Sequence, residues 1–98
     1  MLFQRHFTTS RASAVAAEPN LASGRGLLLA FLRDSGTYGA TDEEMQRLVP
    51  MGSNTQRPRR VELVAGYLVV NSGRNRTTKN GHPAVVWMAR EFVEAQKT

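Results

Sequence analysis

The stretch SNTQRPRRVELVAG, residues 53 to 66, decides the fold that we expect for this chain. Its first half is polar and rich in arginine, and its second half carries Val61, Leu63 and Val64. This division is typical of a helix whose second half packs on a protein core while its first half stays exposed. We expect Leu63 and Val64, together with Val61, to pack on the helices that precede this stretch.

The start of this helix has two solutions in the sequence. Ser53 or Asn54 could cap it, since both side chains accept hydrogen bonds from the free backbone N–H groups of a first turn. The helix could instead begin at Thr55 or Gln56, which would place Pro58 near the first turn, where proline is tolerated. With a start at Ser53, Pro58 would remove one hydrogen bond from the helix.

The positive charge of the chain is confined to one third of its length. The 98 residues carry a net charge of +5. The segments 1–52 and 84–98 are each neutral, whereas between Ser53 and Pro83 six bases face Glu62 alone. A focused basic segment indicates an anionic partner, most often nucleic acid.

Several classes of function are disfavoured by composition. There are no cysteines, so disulfides and thiolate metal sites are excluded and a reducing compartment is expected. His6 and His82 lie far apart in sequence, and we expect no metal site. No apolar run approaches the roughly 20 residues of a membrane span. Without a phosphate-binding glycine loop or a nucleophile paired with a base, we expect no enzyme, cofactor or small-molecule substrate.

Two shorter helices are predicted ahead of residue 53. The first begins at Asn20 or Ser23 and ends at Asp34, and its apolar residues recur at three- and four-residue spacing. That apolar face consists of Leu27, Leu28, Phe31 and Leu32.

The second helix begins with a capping box at residues 41–44, TDEE, and ends before Pro50. We interpret its three acids as partners of the cap and the helix dipole rather than as catalytic carboxylates. Met45, Leu48 and Val49 form its expected apolar face.

β-type sequence follows the third helix. Residues 67–70 and 84–88 are rich in β-branched and aromatic residues and predict the two strands of a hairpin. Their connection, residues 71–83, is expected to be a long polar loop with basic side chains. Such a loop favours a role in binding.

The two ends of the chain are predicted to flank a domain at residues 21–89. Residues 1–20 are expected to form a flexible tail whose Arg5 and Arg11 could touch DNA phosphates, although an organelle transit peptide has a similar composition. Residues 90–98 form an extension that could be helical, with Phe92 and Val93 packing back on the domain.

Four local patterns, taken in order, resemble the winged helix-turn-helix family of DNA-binding domains. They are TDEE at residues 41–44, RPRRVELV at 57–64, SGR at 72–74 and VW at 86–87. The order and spacing are closest to those of small winged-helix domains carried by bacteriophages of actinobacteria. The resemblance implies an α+β fold with three helices, a two- or three-stranded antiparallel wing and room for a short C-terminal helix.

One position departs from the family pattern. The pattern places a glycine at position 67, whereas this chain has Gly66 followed by Tyr67. Either the third helix ends one residue sooner, or Tyr67 adopts the left-handed conformation that glycine favours.

The resemblance also implies a binding mode on double-stranded DNA. The third helix would enter the major groove, and the hairpin would lie along the neighbouring backbone or minor groove. Amide side chains suit adenine and arginines suit guanine or phosphate. Trp87 is expected to pack the wing on the body of the domain rather than stack on a base. The DNA-binding residues expected are Asn54, Thr55, Gln56, Arg57, Arg59, Arg60, Arg74, Arg76 and Lys79.

The function implied is a phage-type regulator of transcription, replication or excision in the cytoplasm of a bacterial host. A second copy of the chain, or a host or phage protein, is a further partner that the sequence leaves open. The alternative is a protein-interaction module that uses the same surface for such a partner.

Overall fold

The computed structural model describes residues 17–96. Within this range the chain forms an α+β structure with four α-helices and a two-stranded antiparallel sheet, which confirms the expected α+β class. Residues 1–16, most of the predicted tail, and residues 97–98 lie outside the described part. The elements are α1 (Gly24–Ser35), a 3₁₀ turn (Gly36–Tyr38), α2 (Asp42–Leu48), α3 (Ser53–Ala65), β1 (Val69–Thr77), β2 (Pro83–Ala89) and α4 (Arg90–Gln96).

Helix α1 is capped by Ser23, whose side chain accepts a hydrogen bond from the Gly26 N–H at 3.0 Å. The later of the two predicted starts, at Ser23, is thus close to the observed one, and the Asn20 carbonyl accepts a hydrogen bond from the Ser23 N–H. Leu28 and Leu32 are buried as expected, whereas Leu27 is 38% exposed.

An ion-pair bridge connects the chain before α1 to the last helix. Arg33 donates to both carboxylate oxygens of Glu18, at 3.0 and 2.8 Å, and to Glu91 of α4 at 2.8 Å. Glu18 belongs to the segment that the sequence places in the tail, so the ordered contacts of the domain begin ahead of residue 21.

The capping box of α2 is confirmed. The Thr41 hydroxyl accepts from the Glu44 N–H at 3.2 Å, and the Glu44 carboxylate accepts from the Thr41 N–H at 3.0 Å. Met45 and Val49 are buried, but Leu48 is 56% exposed. Leu48 is the last residue of a seven-residue helix, and no later turn of that helix covers it.

Helix α3 begins at Ser53, the earliest of the starts considered, and the later start at Thr55 or Gln56 is wrong. Gly52 occupies the N-cap position without a side-chain cap, and its carbonyl accepts from the N–H groups of Thr55 and Gln56 at 2.9 and 3.0 Å. Pro58 therefore lies inside the helix, where it has no N–H to donate to the preceding turn. The early start adds exposed polar residues to the front of the helix.

The end of α3 follows the second alternative that the sequence left open, a left-handed Tyr67, since Gly66 has φ −85°. The helix ends at Ala65, and Tyr67 adopts a left-handed backbone with φ 61°. The Tyr67 N–H donates to the Val64 carbonyl at 3.0 Å and the Leu68 N–H to the Leu63 carbonyl at 2.9 Å. This is a complete Schellman motif, with tyrosine at the position that usually holds glycine.

The hairpin strands are longer than the sequence predicts. Strand β1 extends to Thr77 and β2 begins at Pro83, so the expected loop over residues 71–83 shrinks to residues 78–82. Pairing with the apolar strand β2 holds the polar half of β1 in the sheet against its own weak strand propensity. The register shifts between Asn71 and Asn75, where β1 bulges over residues 72–74.

Ala40, two residues before α2, adds a single bridge to the sheet. Ala40 and Trp87 exchange both backbone hydrogen bonds, at 3.0 and 2.8 Å. Gly39, with φ 65°, lies so close that a Cβ atom there would be 2.6 Å from the Trp87 carbonyl oxygen. The 3₁₀ turn is thereby fixed against the hairpin.

One core holds the helices and the base of the hairpin together. Phe92 of α4 packs against this core, as expected, whereas Val61 of α3 is 49% exposed and does not belong to it. Across residues 17–96, no helix has the length and apolar character needed to cross a membrane. The buried residues of the core are Leu28, Leu29, Leu32, Ala40, Met45, Val49, Leu63, Leu68, Val69 and Ala89.

Candidate nucleic-acid interface

The outward face of α3 carries the exposed members of the predicted site. Asn54, Thr55 and Arg57 are exposed at its front, followed by Pro58 and Val61. Asn54, Arg57, Pro58 and Val61 lie on the side of the helix away from Leu63, which faces the core, and Thr55 lies between the two sides. The front of the helix therefore offers an amide, a hydroxyl and a guanidinium to a ligand that lies along it.

Gln56 does not belong to that face and is a correction to the predicted site. Its side chain is fully buried. Its Nε2 donates to Asp42 Oδ1 at 2.9 Å, and its Oε1 accepts from Gln46 Nε2 at 2.9 Å. Gln56 joins α3 to α2, since helical spacing from Leu63 turns it toward the core.

Arg60 is also held within the domain. Its Nε and Nη2 donate to the two oxygens of Asp42 at 3.0 and 2.7 Å, and its guanidinium lies 4.1 Å from the centre of the Trp87 ring. Only 14% of its side chain is exposed. Burial raises the pKa of Asp42, but hydrogen bonds from Arg60 and Gln56 outweigh burial and lower it overall. Arg60 therefore fastens α3 to α2 and to the hairpin.

Arg76 makes an equivalent connection from the wing. It donates to both oxygens of Glu44 at 2.9 and 2.8 Å, and its guanidinium lies 3.8 Å from the centre of the Tyr38 ring. It also donates to the carbonyls of Tyr38 and Gly39. The hydrogen bonds from Arg76 are the main cause that lowers the pKa of Glu44. Asp42 and Glu44 of the capping box thus each hold an arginine stacked on an aromatic ring.

The other three arginines of the predicted site make fewer or more exposed contacts than Arg60 and Arg76. Arg57 lies 3.5 Å from Asp42 with 65% of its side chain exposed. Arg59 donates to Glu62 at 2.8 Å and is 36% exposed. Arg74 donates to the Thr37 carbonyl and contacts no carboxylate among residues 17–96. These three guanidinium groups can exchange their present contacts for a phosphate.

Lys79 lies at the tip of the hairpin and makes no ion pair within the described part of the chain. It lines a shallow groove between α2 and the hairpin together with Arg47, an exposed residue that sequence reasoning did not select. The charge tally by segment could not find Arg47, because it belongs to the neutral part of the sequence.

Folding places acidic residues of α2 beside the basic side chains of residues 53–83, and the net positive charge of this surface is therefore lower than that of the segment alone. Asp42, Glu43 and Glu44 lie at the start of α2, where they contact or border Arg57, Arg60, Arg76 and Lys79. Counting these three acids and Arg47, the local excess of five positive charges falls to three. The surface is therefore basic at particular side chains rather than throughout.

A shallow groove follows the exposed face of α3 and continues onto α2. Its lining includes Asn54, Arg57 and Val61 from α3, and Gln46 from α2. Gln46 was not predicted as a site residue, and its position is visible only once α2 and α3 are packed together. In residues 17–96, no group of three or more His, Asp or Glu side chains is placed to hold a metal ion.

Comparisons of the chain with models of protein families, with curated proteins and with solved structures each give no match, so its likeness to a family rests on the sequence patterns described above.

Proposed function

We propose that this protein binds double-stranded DNA as a winged helix-turn-helix domain. Helix α3 enters the major groove and the hairpin lies on the neighbouring backbone or minor groove. The observation that carries the proposal is the separation of the two faces of α3. One face is fastened to α2 and the hairpin by Gln56 and Arg60, and the other face presents Asn54 and Arg57 to solvent, with Thr55 exposed at its edge.

The held arginines support this function without touching DNA. A side chain that reads a base must be placed within about half an ångström, and this demands a rigid support. Arg60 and Arg76 supply that support because each combines a two-point ion pair with contact to an aromatic ring. We therefore assign Arg60 and Arg76 as positioning residues rather than as DNA contacts.

The remaining residues divide by the groups they offer. Asn54 and Arg57 contact base edges, since an amide suits adenine and a guanidinium suits guanine. Arg59, Arg74 and Lys79 contact phosphates, and exposed Thr55 has a hydroxyl suited to the same role. By the family resemblance, the bound protein acts as a phage-type regulator of transcription, replication or excision in a bacterial host.

The test is binding to random-sequence duplex DNA, measured by fluorescence anisotropy between 50 and 300 mM salt. Three cations on phosphates (Arg59, Arg74 and Lys79) give a slope of log affinity against log salt near roughly −2.7. An affinity that does not change with salt contradicts the proposal.

A double variant, Arg74→Ala with Lys79→Ala, sharpens this test. We expect the slope to become shallower by about 2, since each lost phosphate contact removes close to one unit. Arg33→Ala is the matched control, because Arg33 is equally charged but pairs with Glu18 and Glu91, away from α3. The control keeps the full slope if binding uses the proposed surface.

A protein partner is the second candidate. The low local charge excess and the exposed Pro58 and Val61 in the α3 groove favour it over a purely electrostatic role. Retained capture of a host or phage protein by the wild-type domain, together with salt-insensitive or absent DNA binding, would support this function instead.

A further inference from the structure

We propose that Gln46 of α2 reads a base pair beside α3, and that Gln56 and Asp42 act as its positioning residues. This inference rests on the proposed DNA-binding function and deepens it. Gln46 takes the base-reading role that the sequence suggests for Gln56, because Gln56 is buried while Gln46 borders the groove along the exposed face of α3.

The three side chains form a hydrogen-bonded relay with one allowed direction. Asp42 Oδ1 accepts from Gln56 Nε2 at 2.9 Å, and Gln56 Oε1 accepts from Gln46 Nε2 at 2.9 Å. An ionised carboxylate can only accept, so the Gln56 amide must turn its NH₂ group toward Asp42. Its oxygen then faces Gln46, which must donate. The reversed arrangement would place the Gln56 oxygen against the carboxylate.

The carboxylate that sets this direction stays ionised. Asp42 accepts two hydrogen bonds from Arg60 and lies 3.5 Å from Arg57. Burial raises its pKa, but these cationic and amide donors lower it overall. The orientation of Gln46 is therefore set by a group that does not change protonation near neutral pH.

Gln46 retains the groups that recognise adenine. One N–H is used by Gln56, while the second N–H and Oε1 make no further hydrogen bond with residues 17–93. Adenine presents a donor at N6 and an acceptor at N7 in the major groove, which a glutamine amide matches. The groove places Gln46 next to Asn54 and Arg57, so all three can reach adjacent positions of one site.

The experiment is selection from a random duplex library by the full chain, in wild-type form and as Gln46→Met, Gln56→Met and Gln46→Arg. Gln46→Met removes the amide at similar size. Gln56→Met leaves Gln46 present but unsupported. Gln46→Arg keeps a donor for the Gln56 oxygen yet offers only donors to DNA. Thermal unfolding of each variant confirms that it is folded under the selection conditions.

We expect the wild type to prefer adenine at one position by at least about fivefold, the lower limit for a two-point amide contact. Gln46→Met loses that preference and keeps the other positions, Gln56→Met weakens it, and Gln46→Arg changes it toward guanine. A motif unchanged in both Gln46→Met and Gln46→Arg overturns the inference while leaving DNA binding intact. Absence of any enrichment by the wild type overturns the proposed function and this inference with it.

Discussion

Arg60 and Asp42 form a two-point ion pair, with N–O distances of 3.0 and 2.7 Å, against the ring of Trp87. The pair joins residues from two helices, and the tryptophan adds the hairpin to the same contact. Arg57 approaches the same carboxylate at only 3.5 Å and stays largely in solvent. Arg57 and Arg60, three positions apart, thus interact with the same carboxylate, Arg60 through two hydrogen bonds and Arg57 only through a long, solvent-exposed ion pair.

This difference predicts opposite roles for the two arginines. Arg60→Ala should lower the free energy of unfolding by about 1.5–3 kcal/mol, since it removes charged hydrogen bonds to a largely buried carboxylate. Arg57→Ala should change the free energy of unfolding by less than about 0.5 kcal/mol, because its pair is solvent-exposed. Urea denaturation of both variants measures the contrast, and equal losses of stability would contradict it.

Stability should fall in acid because Asp42 and Glu44 have lowered pKa values in the folded protein. A carboxylate whose pKa is lowered by folding contributes stability that is fully present above its unfolded pKa. That contribution is lost as the pH falls through the folded pKa. With ordinary values of 3.8 and 4.5, we expect a plateau above about pH 5.5 and a steady loss below about pH 4.5.

The matched variant for this pH dependence is Glu44→Gln, which keeps the size of the side chain but cannot ionise. Its stability should be lower than that of the wild type at pH 7 and should fall less between pH 5 and pH 3. Chemical denaturation across this range gives both curves, and parallel curves would show that Glu44 does not contribute.

The left-handed backbone at Tyr67 should reduce the free energy of unfolding by a measurable amount. Replacing Tyr67 by alanine removes the ring and keeps a Cβ atom at φ 61°, whereas glycine removes both. We therefore expect Tyr67→Gly to be more stable than Tyr67→Ala by about 1 kcal/mol, since only glycine adopts this conformation without strain. Comparing these two variants separates the backbone term from the loss of ring contacts. A more stable alanine variant would show that residue 67 is not left-handed in solution.

Two glycines in the first turn of α1 should respond in opposite ways to alanine. A Cβ atom at Gly26 would lie 2.0 Å from the Asn20 carbonyl oxygen, so Gly26→Ala must displace the segment before the helix. We expect a destabilisation of more than about 1 kcal/mol. At Gly24 the nearest atoms are 3.5 Å away, in the Arg59 side chain, so Gly24→Ala should stabilise by up to about 1 kcal/mol. Thermal unfolding measures both shifts, and a neutral Gly26→Ala would show that the segment at Asn20 is not packed on the helix.

Local physics explains the parts of the fold that the sequence predicted well. The capping box at Thr41, the apolar spacing of α1 and the β-branched residues of β2 involve contacts within a few residues. The strand over residues 71–77 was not predicted, since its polar composition favours a loop and only pairing with β2 holds it extended.

The sequence by itself determined that this chain is an α+β domain with a basic third and a helix over residues 53–65 that is divided into polar and apolar parts. Only the tertiary structure decided which basic and amide groups remain available. That outcome depends on α2, whose Asp42 and Glu44 lie 18 and 32 positions from the arginines they hold. Ion pairing acts through space, so a tally of charge along the chain cannot separate Arg57 from Arg60. Gln46 and Gln56 differ in burial, which the packing of α2 on α3 decides.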